Sequence, residues 1–167
     1  MDVPALLMDA AALARCRAAL AGVRHVVTSP ALRCRQTAKA LFPRHDLASD
    51  ARLWEQDFGR EDGMKLSDLP DLGPLSLDAL ADRRPPEGES FADMAARARP
   101  ALDAAAAKAR AAGPLAVVAH AGTVRAALAL ALGTMPAALA FEIAPLSVTR
   151  LRCLPEGFSV IAVNTLL

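Results

Sequence analysis

Tyrosine is absent from this chain, and aromatic residues of any kind make up only 4% of its 167 residues. Few side chains are therefore available to stack on single-stranded bases. Charge of one sign is also lacking. Nineteen Lys and Arg against eighteen Asp and Glu leave a net charge of +1, too little for a sequence-independent grip on nucleic acid. The three cysteines, Cys16, Cys34 and Cys153, are odd in number and far apart, with no Cys-x-x-Cys pair. The histidines His25, His45 and His120 form no helical ligand pair. A zinc site is not expected, and a reducing cytoplasm is the simplest setting. Long apolar runs are missing too. The longest, Ala126 to Phe141, is broken by Gly133, Thr134 and Pro136, whereas a spanning helix needs about 20 predominantly apolar residues. The start Met1-Asp2-Val3-Pro4 has no basic segment and does not read as a secretory signal. Neither a Gly-x-x-x-x-Gly-Lys loop, nor Gly-x-Gly-x-x-Gly, nor Gly-x-Ser-x-Gly occurs, so those nucleotide-binding and hydrolase signatures are excluded.

What is present suffices for one globular domain over residues 1–167. Hydrophobic residues reach 54% and charged ones 22%, which excludes intrinsic disorder. Leu7 to Ala21, rich in Ala and Leu, predicts a helix stopped at Gly22. His25-Val26-Val27-Thr28 predicts a short buried strand. Ser29-Pro30 then predicts a helix start, with Ser29 as N-cap, running to Leu41 before Pro43. Residues 42–90 are punctuated by glycines and prolines and read as long loops with short helices, a pattern typical of functional surface. Ser90 with Asp93 signals a helix N-terminus, and Phe91, Met94, Ala95, Ala98 and Leu102 keep helical spacing, with a kink expected at Pro100. Leu115 to Ala119 predicts a buried central strand. Thr123 to Leu132 predicts a helix closing at Gly133. Ser147 to Leu154 and Phe158 to Asn164 predict a hairpin. Strands alternating with helices predict an α/β sandwich on a mixed sheet.

Two places share one design, a buried strand running through a tight turn into a helix. One carries Arg33 in the following helix, and the other carries His120-Ala121-Gly122 in the turn. Ligands of open α/β sheets bind beyond the carboxyl ends of strands, and helix N-termini hold anions. Arg33 and His120 there make a phosphate site, since Arg grips phosphate through two parallel bonds and His donates near neutral pH. Glu55, within Trp54-Glu55-Gln56-Asp57-Phe58-Gly59, is a candidate general acid. Taken singly, Arg33 reads equally as a solvated helix arginine, Glu55 as an exposed loop carboxylate and His120 as a donor to a backbone carbonyl. Arg125 either faces the site or pairs with an acid. His25 and His45 read as structural or solvent-facing.

Thr28-Ser29-Pro30-Ala31-Leu32-Arg33-Cys34-Arg35-Gln36-Thr37-Ala38 resembles a segment of the histidine phosphatase superfamily, the phosphoglycerate mutase-like proteins. Leu53 to Gly59 resembles that family's acid loop. Gly88-Glu89-Ser90-Phe91 is similar to its long-helix start, and Val117 to Arg125 to its second-histidine motif. Ser147-Val148-Thr149 and Asn164 fit its closing hairpin. The segments stand in order across nearly the whole chain. The Asp2-Val3-Pro4 start is similar to the branch containing α-ribazole phosphatase.

The resemblance implies a three-layer α/β/α sandwich, phosphatase chemistry on a small phosphomonoester through a phosphohistidine, and no metal or organic cofactor. It makes Arg33 a clamp arginine, His120 the second histidine and Glu55 the proton donor, with the backbone of Ala121 and Gly122 lining the phosphate pocket. One departure is large. The family's Arg-His-Gly, which carries the nucleophile at the end of a first inner strand, has no counterpart. Arg24-His25 and Arg44-His45 are not followed by Gly and lie elsewhere. Either the segment is encoded upstream of Met1 or the chain lacks it natively. Hydrolysis by the chain as it stands is expected to be weak, with a pseudophosphatase that binds phosphorylated ligands or partners as the alternative. The missing strand also predicts exposed backbone and apolar surface, and hence a homo-oligomer or a reorganised sheet.

Overall fold

The computed structural model describes residues 2–6 and 10–167. The first helix, α1, covers Ala10–Ala19; the expected start at Leu7 lies outside the described residues. Strand β1 is His25–Thr28 and helix α2 is Leu32–Leu41. The long irregular segment holds a three-residue strand, β2 (Leu47–Ser49), three 3₁₀ turns, and a short helix, α3 (Leu77–Asp82). Then come α4 (Phe91–Ala112), β3 (Leu115–Val118), α5 (Ala121–Leu132), a four-residue helix α6 (Met135–Ala138), and the strands β4 (Val148–Leu154) and β5 (Gly157–Thr165). Sequence pattern predicts neither β2 nor α6. Both are too short for a hydrophobic period to register.

Strands β2, β1 and β3 form one parallel sheet in that order, with Val27 opposite Ala48 on one side and Val117 on the other. Side chains alternate across it. Val27 and Val117 face a core made by α4 and α5, where Met94, Ala98 and Ala126 are buried. Val26, Ala116 and Val118 face the opposite layer, with Ala38 of α2, Phe42 just beyond α2 and Leu20 just beyond α1. These are the three layers of an α/β/α sandwich. Small residues at 95, 98, 101 and 106 let α4 approach closely. It runs as one element through Pro100, and its start is the expected capping box, Ser90 and Asp93 each bonding the other's backbone N–H. Gly133 closes α5 in the left-handed conformation, φ 70°.

Two expectations change. The second helix does not start on Ser29-Pro30. Ser29 continues the strand, its N–H donating to Val118 O at 2.9 Å, and α2 begins only at Leu32. The strand β3, expected in the centre, lies at the edge of the three-stranded sheet, and all four of its residues are half-buried. The closing strands form a separate antiparallel hairpin, β4 with β5, turning through Pro155 and Glu156. Among the described strands, none joins the two sheets.

The core makes a direct prediction. Met94 is 0% exposed, so Met94→Ala removes fully buried methylenes and destabilises the domain by about 2–5 kcal/mol. Leu72→Ala, at an exposed position, changes stability by less than about 0.5 kcal/mol. Urea unfolding of both variants checks the contrast.

Candidate functional site

The site is built where β1 and β3 end together. Thr28 and Val118 are paired in register, and Thr28 Oγ1 donates to Val118 O at 3.1 Å. The chain leaves β1 through Ser29 and Pro30 toward α2, and leaves β3 through Ala119 and His120 toward α5. Both turns therefore open on the same end of the sheet, as the sequence design requires. Leu32, at the start of α2, donates its N–H to Asp2 Oδ1 at 2.7 Å. Nothing in the sequence singles out Asp2 for this role. It satisfies one of the free amide donors of a helix N-terminus.

His120 is buried, 7% exposed, and its ring is held on both nitrogens. Nδ1 lies 3.1 Å from Arg33 Nη2, and Nε2 lies 2.9 Å from Ser29 Oγ. A guanidinium only donates, so Nδ1 is the bare, accepting nitrogen. Nε2 then carries the hydrogen and donates to Ser29 Oγ, and the ring is neutral. Burial pushes the His120 pKa down to about 4, and the Arg33 charge pushes in the same direction. Cys34 Sγ sits 3.6 Å from Nε2. Burial also raises the Cys34 thiol, to about 11, so it stays protonated at neutral pH. Arg33 is thus no solvated helix arginine, and His120 does not bond a backbone carbonyl.

Glu55 reaches the same place from the irregular segment. The 3₁₀ turn Ala51–Leu53 is capped by Asp50 and anchored by Leu53, 1% exposed. The Glu55 carboxyl accepts from the Gln56 N–H at 3.0 Å and from the Gly122 N–H in the first turn of α5. A Cβ at residue 122 would collide with Glu55 Oε1 and press on Met94, so only glycine permits this approach. Burial raises the Glu55 pKa, and the two N–H bonds and the Arg33 and Arg125 charges only partly offset it. The lone exposed carboxylate reading is therefore set aside, and the Gly122 N–H faces Glu55.

Two residues without a role in the sequence reading hold this loop. Arg97 of α4 donates to Arg52 O (2.9 Å), Trp54 O (3.2 Å) and Glu55 O (3.2 Å), and pairs with the Glu89 carboxylate. Glu89 also accepts from the Asp57 N–H at 3.1 Å, and its carbonyl accepts from Gln56 Nε2 at 2.9 Å. Their partners in the loop lie more than thirty residues away, so spacing could not have revealed them. Arg125 donates to Phe141 O at 3.0 Å. His25 begins β1 at the far end of the sheet, and His45 bonds Val23 O and packs edge-on against Phe42. Neither histidine reaches the site. Arg33, Trp54, Glu55 and Phe58 line a cleft of about 570 Å³, large enough for a small ligand. Among the described residues no cluster of His, Cys, Asp or Glu could hold a metal ion, and no helix is long and apolar enough to cross a membrane.

A mycobacterial hydrolase is 25% identical, with a TM-score of 0.77 over 93% of this chain and 75% of its own. A mycobacterial glucosyl-3-phosphoglycerate phosphatase solved with vanadate is 24% identical, with a TM-score of 0.82 over 98% of this chain and 88% of its own. The α-ribazole phosphatase of Shigella flexneri is 15% identical, with a TM-score of 0.74 over 98% and 86%. A search of curated proteins finds no match. The model of the histidine phosphatase superfamily, branch 1, matches residues 7–166, and this chain belongs to that superfamily.

Proposed function

We propose that the site binds the phosphoryl group of a small phosphomonoester and is built for its hydrolysis. The observation that carries this reading is the convergence of Arg33, His120 and Glu55 on the ends of β1 and β3 at the N-terminus of α5. The phosphate- and vanadate-bound relatives support a small phosphorylated ligand. An incoming anion replaces the Arg33–His120 hydrogen bond. Arg33 then donates to one oxygen, His120 takes a proton on the Nδ1 that Arg33 has left and donates it to a second while Nε2–H stays on Ser29 Oγ, and the backbone at Ala121 adds the positive end of α5. Glu55, whose pKa burial raises, gives its proton to the leaving oxygen. Its donation returns the carboxylate to the Gln56 and Gly122 N–H groups.

Covalent catalysis needs a free nucleophile in line with the phosphorus. His120 is the one histidine at the site, and its bare Nδ1 is tied to Arg33. We therefore expect residues 1–167 to bind phosphate and to turn it over poorly. Binding without turnover is the second reading, and the remote placement of His25 and His45 favours it. Hydrolysis of p-nitrophenyl phosphate separates the two from a contaminating activity. The rate is expected to equal that of Arg33→Ala and His120→Ala. Turnover lost in both variants would show that the site works with the residues it has and would overturn the weak-hydrolysis reading.

Anion binding has a pH signature. Sulfate keeps its two charges between pH 7 and 5, so any change in affinity there comes from the protein. An anion beside His120 stabilises the imidazolium and raises its pKa from about 4. The bound form then takes up protons as pH falls. Protonation of Glu55, whose pKa burial raises, removes a repelling carboxylate as pH falls. Both effects have one sign, so sulfate binds more tightly at pH 5 than at pH 7, and titration calorimetry reads the difference. Arg33→Ala weakens sulfate by at least about tenfold, in line with a charge-assisted bond. Equal affinity at both pH values would remove His120 and Glu55 from the anion site.

A further inference from the structure

Trp54 and Phe58 line the cleft beside Glu55 and stand 36% and 39% exposed. Among the described residues neither ring stacks on another ring or meets a cation; the aromatic contact is Phe42 with His45, elsewhere in the fold. Open aromatic faces in a cleft are surfaces that a ligand covers. Glu55 gives the direction of that ligand. It protonates the leaving oxygen, so whatever that oxygen carries extends past Glu55 and meets its neighbours on the same loop.

The loop presents the two rings on fixed backbone. The Glu89 N–H donates to Asp57 O at 2.9 Å and the Arg60 N–H to Pro86 O at 3.0 Å, so residues 57–60 lie along residues 86–89. Glycine at 59 and 88 permits that approach. A Cβ at 59 would strike Pro86 O, and one at 88 would strike Asp57 O. A site held in this way can discriminate between ligands.

Charge on this wall has one sign. Asp57, Asp62 and Glu87 line the cleft together with the rings. Arg97 lines it too, but its guanidinium is taken by Glu89 and by three loop carbonyls. The Asp57 carboxylate accepts from the Gly59 N–H at 2.8 Å and pairs with no cation among the described residues. Glu87 meets Arg60 where both side chains are well exposed, and water screens that pair. Aromatic faces beside carboxylates attract a cation and turn away an anion. Arg33 brings the opposite charge into the same cleft from the first turn of α2. The cleft is therefore dipolar, with a guanidinium for a phosphoryl group and an acidic, aromatic wall for what the phosphoryl group is attached to.

We propose that Trp54, Phe58 and Asp57 select the leaving group, and that the substrate is a phosphomonoester whose alcohol carries an alkylammonium nitrogen. Such a zwitterion lays its phosphoryl end on Arg33 and its cationic end against the aromatic wall. A leaving group with a further carboxylate is disfavoured by Asp57 and Glu87. This inference rests on the phosphoryl-binding reading of Arg33 and His120 and names the substrate class of that site.

The test is calorimetric binding to residues 1–167 at low ionic strength, where surface charge is least screened. The probes are inorganic phosphate, phosphocholine and 3,3-dimethylbutyl phosphate, which puts carbon in place of the charged nitrogen at equal size. Phosphocholine is expected to bind at least about fivefold more tightly than the carbon isostere. It is also expected to change the fluorescence of Trp54, the one tryptophan of the chain. Asp57→Asn keeps the oxygen that accepts from Gly59 and removes the charge, and most of the preference is lost. Trp54→Leu lowers the same preference. Both organic probes share the phosphoryl group, so their ratio is blind to damage at Arg33 and His120. Phosphate binding that Arg33→Ala weakens, with equal affinity for phosphocholine and its isostere, overturns this inference and leaves the anion site standing. A preference that survives in both Asp57→Asn and Trp54→Leu also overturns it, because the cation is then recognised elsewhere. Failure of all three probes to bind overturns the anion site and this inference together.

Discussion

The hydrogen bond from the Ser29 N–H to Val118 O fixes where two segments ninety residues apart leave the sheet. It extends the β1–β3 ladder by one residue beyond Thr28. Without it, the turn into α2 would be free to swing, and Arg33 would not meet His120. With it, Ser29 is 0% exposed and its hydroxyl is set against the imidazole. A backbone bond thus sets the tautomer of a titratable ring, because Ser29 accepts from Nε2 and Arg33 supplies the donor to Nδ1. The chemistry available to His120 follows from that choice: Nε2 cannot accept a proton from Ser29, and Nδ1 is the nitrogen that takes up a proton when an anion arrives.

The second constraint is steric. Glu55 can reach the start of α5 only because residue 122 has no side chain. The loop that carries it is irregular and would wander if left to its own propensities. Arg97 removes that freedom with bonds to three carbonyls of the loop backbone, at Arg52, Trp54 and Glu55, and to Glu89. The long Ala-rich helix therefore does two jobs. Its small residues let it pack close to the sheet, and its first turns reach across to hold the acid.

Much of this was legible in the residues. The β-branched run at 26–28 and the apolar run at 115–118, each followed by a turn and a helix, place Arg33 and His120 at one end of a sheet from local pattern alone. The capping box at Ser90 and the glycine stop at Gly133 are local signals too, and the helices begin and end there. What was illegible is non-local. The partners of Arg97, the Asp2 bond to Leu32 and the contact of Glu55 with Gly122 depend on segments brought together only by the fold. Ser29 misleads because its side chain suits a helix cap, while a distant histidine claims it. The β3 run misleads in another way. Its four apolar residues have the pattern of a strand covered on both sides and paired on both edges, and the described structure supplies only one of the paired neighbours.

The division of the strands into two sheets bears on how the molecule moves. The β4–β5 hairpin is attached to the rest of the domain through side-chain packing on α4 and α5 and has no main-chain ladder to the parallel sheet. Side-chain packing alone resists sliding and rotation less than a hydrogen-bonded ladder does. The hairpin is therefore the part that opens at the lowest free energy, a separate cooperative unit riding on two helices. Heat or denaturant reaches it first, and the parallel sheet with α2 and α4 outlasts it.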